Sequence, residues 1–85
     1  METYNIDRDR VSYLPAFDVL YLGYGDNSLD FCDEVADLDG GITIMKTAGE
    51  FSGAEIHEFS CNYGSLPASI LVNDTVPFVI NIPAA

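Results

Sequence analysis

After residue 10 this chain carries eleven carboxylates and a single base, Lys46, so no fold open to it can pair its charges. Fourteen Asp and Glu stand against three Lys and Arg in 85 residues, a formal net charge of -11. Charge of this size suits a disordered tail only when hydrophobicity is low, and here 48% of the residues are hydrophobic. The chain is therefore expected to fold. So short a chain supports one core, which makes residues 1–85 a single domain. The charge also excludes partners. Phosphate recognition needs a basic footprint, and Arg8, Arg10 and Lys46 do not supply one, so direct nucleic-acid binding is not expected. No apolar run approaches the roughly 18 residues of a membrane span. The first ten residues, METYNIDRDR, lack the apolar segment of a secretory signal, and a cytoplasmic protein is expected. Cys32 and Cys61 are too few for a disulfide scaffold and read as buried, reduced thiols.

Phe17–Tyr24 is rich in β-branched and aromatic residues and ends at Gly25, which predicts a strand. Ile42–Thr47 alternates as a second, and Ala54–Tyr63, between Gly53 and Gly64, as a looser third. Ile70–Val72 and Val76–Ile82 flank Asn73-Asp74-Thr75, the composition of a hairpin turn. Pro77 cannot donate to a ladder, so the last strand is an edge or enters the sheet after it. Tyr4–Ile6 adds a further short strand. Between the first long strand and Ile42, Asn27 or Ser28 can cap a helix whose 3.6-residue apolar period runs to Leu38 and stops at Gly40-Gly41. The expected fold class is α+β: one short amphipathic acidic helix packed on a largely antiparallel sheet of about five strands.

On that helix Asp30, Asp33, Glu34 and Asp37 share one face, and Asp26 and Asp39 extend the row beyond each end. Like charges at this spacing repel by a few tenths of a kcal/mol per pair. Acids also oppose the dipole at a helix C-terminus. A surface that breaks two local rules at once reads as serving more than folding. The expected partner-binding set is Asp26, Asp30, Asp33, Glu34, Asp37 and Asp39, with Tyr24 as an aromatic anchor. In size, acidity and the row Asp30, Asp33, Glu34, Asp37, the chain is similar to small phage-encoded inhibitors that imitate DNA, such as anti-restriction and anti-CRISPR proteins. The resemblance implies a non-enzymatic inhibitor in the host cytoplasm. Its partner would be a basic nucleic-acid-binding protein: a CRISPR effector, a restriction enzyme or a nuclease toxin.

Other chemistry is weak. Asp37-Leu38-Asp39-Gly40 and Asp26-Asn27-Ser28 begin calcium loops that lack the glycine and the terminal glutamate. His57 and Cys61 share strand parity without an evident cleft, and read as part of a mixed core face with Phe59 and Tyr63. No cofactor, metal or catalytic residue is expected. The alternative function is a structural or adaptor subunit, in which the apolar tail Val76–Ala85 forms an edge strand that pairs with a partner or a second copy as a homodimer. Whether Glu50, Glu55 and Glu58 join the acidic face depends on the fold.

Overall fold

The computed structural model describes residues 1–24 and 34–83. Among these, eight strands form two sheets, and helix is confined to two short turns. In chain order the strands are β1 (Glu2–Asn5), β2 (Val11–Leu14), β3 (Val19–Gly23), β4 (Glu34–Leu38), β5 (Ile42–Thr47), β6 (Glu50–Ile56), β7 (Ser69–Val72) and β8 (Phe78–Asn81). A 3-10 turn at Arg8–Arg10 precedes β2, and a four-residue helix, α1 (Phe59–Asn62), follows β6.

The larger sheet has the order β2-β3-β6-β5-β4, with every pair antiparallel. The smaller has the order β1-β8-β7, in which β8 runs parallel to β1 and antiparallel to β7. Alternation decides which side chains meet between them. Leu20, Leu22, Ile42, Ile44, Ala54 and Ile56 face inward from the larger sheet, and Ile70, Val72, Phe78 and Ile80 from the smaller. All belong to one buried cluster. Tyr4, Tyr24, Phe51 and Phe78 close one end of it, with ring centroids 4.8 to 5.5 Å apart. Among the described residues no helix is long and apolar enough to cross a membrane.

Of the expected strands, Ile42–Thr47 is present with those bounds, Ile70–Val72 begins one residue earlier at Ser69, and those expected from Phe17 and Val76 are present in shorter form. Pro77 lies immediately before β8, so the ladder begins where its missing N–H no longer matters. Four expectations need correction. Glu34–Leu38 is a strand rather than the end of a helix. In a helix its carboxylates would crowd one face; in β4, Glu34 lies opposite Lys46 and Asp37 opposite Thr43, and both find partners. The expected helix over 27–33 lies outside the described residues. Gly40-Gly41 is the turn of the β4–β5 hairpin, with φ of 83° and 76°, not a helix cap. The third predicted strand is displaced: β6 ends at Ile56 and α1 follows, leaving Cys61 exposed and not in the core. Finally, β8 is the centre of its sheet, paired on both edges, so the apolar tail strand is not an edge open to a partner.

α1 has no cap of its own. Glu58, at its N-cap position, sits at φ 51° and makes no side-chain cap bond. The first turn is capped from 42 residues away by Asp18, whose carboxylate accepts from the Ser60 amide at 3.0 Å and the Ser60 hydroxyl at 2.6 Å. The Tyr13 hydroxyl donates to the same carboxylate at 2.8 Å. These donors, the Ser60 hydroxyl foremost, hold Asp18 below the usual carboxylate range, and the bond to the Asp18 carboxylate in turn pushes the Tyr13 phenol up.

Candidate functional site

The face of the larger sheet turned away from the core carries its polar residues in register. Asp37 on β4 lies opposite Thr43 on β5, Thr43 opposite Glu55 on β6, and Glu55 opposite Tyr21 on β3. His57 follows β6 with the same parity as Glu55. Its amide donates to the Gly41 carbonyl at 2.8 Å, which continues the β5–β6 ladder to the hairpin turn. Here the turn and the β6–α1 corner approach closely: Asn62 Nδ2 donates to the His57 carbonyl at 2.9 Å. A Cβ on Gly41 would come within 3.0 Å of that same carbonyl oxygen. The result is a cleft of about 360 Å³ lined by Asp37, Gly41, Thr43, His57 and Glu58, with Leu38 and Ile42 reaching it from the core side.

The hydrogen bonds inside the cleft have a fixed direction. The Thr43 hydroxyl donates to Asp37 Oδ1 at 2.8 Å, because an ionised carboxylate only accepts. Thr43 has then spent its one proton. The contact between its Oγ1 and His57 Nε2 at 3.2 Å requires Nε2 to be the donor. The Glu55 carboxylate, 3.3 Å from the same nitrogen, requires it too. Thr43 is 7% exposed, so this network is held by a buried hydroxyl while the His57 side chain remains 45% exposed.

No Lys or Arg lines the cleft. The three cations are engaged elsewhere. Lys46 lies 3.2 Å from Asp74 and 3.9 Å from Glu34, bridging the larger sheet to the β7–β8 connection. The Thr75 amide, and then Lys46, hold Asp74 below its ordinary range. Arg8 donates to the Pro83 carbonyl at 2.8 Å. The Arg10 guanidinium lies against Gly23 and is itself partnered.

Of the expected binding residues, Asp26, Asp30 and Asp33 lie outside the described residues. Asp37 borders the cleft, and Asp39 occupies the turn beside it. Glu34 is separated from Asp37 by strand alternation and pairs with Lys46. Tyr24 packs its ring against Tyr4 and Phe51, at centroid distances of 5.0 and 5.5 Å, on the core side of the sheet. Glu55 and Glu58 join Asp37 around His57; Glu50 sits at the far end of β6. The cleft residues Thr43, His57 and Glu58 were not legible as a group, since they converge only through the β5–β6 register and the α1 corner. Among the described residues no three His, Cys, Asp or Glu side chains are placed to hold a metal. Compared with protein-family models, with curated proteins and with solved structures, the chain matches none.

Proposed function

We propose that the protein is a non-enzymatic inhibitor that imitates nucleic-acid charge and occupies the basic nucleic-acid-binding groove of a partner. The partner class is a CRISPR effector, a restriction enzyme or a nuclease toxin; for the last, the protein is an immunity protein. The observation that carries this reading is the gathering of Asp37, Asp39, Glu55 and Glu58 at one end of a sheet where no cation lines the cleft. Asp37 and Glu55 are separated by one intervening strand, roughly 10 Å of backbone. That is the scale on which a basic groove presents Lys and Arg to phosphates, spaced along duplex DNA at one charge per roughly 1.7 Å of axis. Each carboxylate facing a cation at about 6 Å contributes roughly 0.7 kcal/mol in water, so several act together. A net charge of -11 also speeds encounter with a basic surface. Because Asp37 and Glu55 sit on paired strands, Asp39 at a two-glycine turn and Glu58 at the start of α1, little backbone entropy is lost when they dock.

The test is inhibition of DNA cleavage across a panel of CRISPR effectors, restriction endonucleases and nuclease toxins. For the enzyme that responds, D37K/D39K/E58K should lose inhibition by at least about tenfold, roughly 1.4 kcal/mol, while retaining its circular dichroism spectrum. An equal charge change at Glu2, Asp9 and Glu50 should cost less. Undiminished inhibition by the first variant rejects the acidic end as the binding surface.

A further inference from the structure

We infer that the outer face of the smaller sheet is a self-association surface, on which a second copy of this chain packs to form a twofold dimer. The inference stands apart from the inhibitor reading. Strand alternation puts Ile70, Val72, Phe78 and Ile80 of this sheet in the core and turns the residues between them outward. Two rows result. Thr3 on β1, Val79 on β8 and Leu71 on β7 lie in register, and beside them lie Asn5, Asn81 and Ser69. Leu71 is 53% exposed, and Asn81 donates to Asn5 at 2.9 Å within its own row. Neither row holds a charge. The single charged residue in the three strands, Glu2, has the parity of the core-facing Tyr4. In a chain of net charge -11 a sheet face without a charge is the departure, and depletion of charge marks the centre of a protein interface.

Electrostatics selects the occupant. A basic surface is drawn to carboxylates, and this face has none to offer it. An acidic surface is repelled by the net charge, and so is a second copy unless its own acids stay distant. This face meets that condition. Asp37 and Glu55 stand on the far side of the molecule, on the outer face of the larger sheet. Sheets pack about 10 Å apart, so two copies joined through their smaller sheets hold those acidic faces about 30 Å from each other. The Debye length at physiological salt is about 8 Å, which screens the repulsion between them. The face is also its own complement. A twofold axis along β8 sets Val79 on its copy and Leu71 on Thr3 of the second copy, so the apolar row meets itself and the Asn–Ser row does the same. Both acidic faces then point outward and stay open to partners. A face of three short strands is at the small end of interfaces, and the expected association is weak, with Kd roughly micromolar or above.

The experiment is sedimentation equilibrium of the full chain from about 20 to about 500 µM, at about 0.05 and about 0.5 M NaCl. A monomer–dimer equilibrium should appear, and the dimer should strengthen at least about threefold at the higher salt as the mutual repulsion is screened. Inhibition of a nuclease through the acidic end runs the opposite way with salt, so the two readings fail separately. T3R/L71R, a change at two exposed positions, should weaken association at least about tenfold while keeping its circular dichroism spectrum. It should do so although the two added positive charges lower the net charge from -11 to -9. D39N/E58Q, which removes two negative charges and also reaches -9 from -11, should dimerise at least as well as the unsubstituted chain. A monomer at every concentration and salt overturns the inference. So does a dimer that T3R/L71R leaves intact, or one that higher salt dissociates. Inhibition without dimerisation removes this surface alone. Dimerisation with no inhibited enzyme in the panel leaves the surface standing and removes the inhibitor reading.

Discussion

Replacing Gly41 with alanine puts a methyl group 3.0 Å from the His57 carbonyl oxygen and 3.1 Å from Asn62 Nδ2. The same replacement at Gly40 meets nothing within 4 Å. Both glycines sit at positive φ, 83° and 76°, so each alanine bears the left-handed penalty of about 1 kcal/mol. Gly41→Ala alone also forces apart the turn and the α1 corner. That disturbs the Asn62-to-His57 hydrogen bond and the His57-to-Gly41 ladder bond, each contributing roughly 0.5–1.5 kcal/mol. The expected destabilisation is about 1 kcal/mol for Gly40→Ala and about 2–3 kcal/mol for Gly41→Ala. For a domain of this size each kcal/mol lowers Tm by roughly 4–8 °C. Urea unfolding followed by circular dichroism resolves the difference, provided the slopes with denaturant match. Equal losses at the two positions would refute the close approach, and with it the cleft it builds.

Three further outcomes follow from the geometry. Ala48 and Gly49 form the β5–β6 turn at φ 54° and 79°, the signature of a turn that favours Asn-Gly; Ala48→Asn should raise stability by about 0.5–1 kcal/mol in the same urea assay. Asp18 is held below its ordinary pKa, so its stabilising effect is full above the unfolded value of about 4 and is lost as pH falls through the folded value. Asp18→Asn should therefore lower Tm at pH 7 and flatten the acid limb below about pH 4 in calorimetry, because the α1 cap no longer titrates. Ile44 is fully buried between the sheets, and Ile44→Ala should cost about 2–5 kcal/mol, enough to broaden or abolish the thermal transition.

Local chemistry made part of this fold legible. β3 and β5 announce themselves by β-branched and aromatic content, and Pro77 marks the start of β8 because the ladder has no use for it. Glu34–Leu38 misleads because Val35 and Leu38 are three apart, a spacing that serves a helix face, while only the pairing with β5 reveals that Glu34 meets Lys46 and Asp37 meets Thr43. α1 is invisible in its own residues because its cap, Asp18, is supplied from β3's entry. The parallel pairing of β1 with β8 joins residues such as Asn5 and Asn81, 76 positions apart, and no local pattern encodes it. The acidity of the site was plain in the sequence. Its membership was not, because strand alternation separates Glu34 from Asp37 and brings in Glu55, Glu58 and His57 instead.

The central claim, that an acidic sheet end stands in for nucleic acid, is tested most directly by competition. With the nuclease that responds in the panel, the concentration of protein giving half inhibition is measured against increasing duplex DNA at two salt concentrations. A mimic predicts that this concentration rises in proportion to DNA and that affinity falls steeply with salt, as counterions compete for the same cations. Inhibition independent of DNA concentration and insensitive to salt would contradict it.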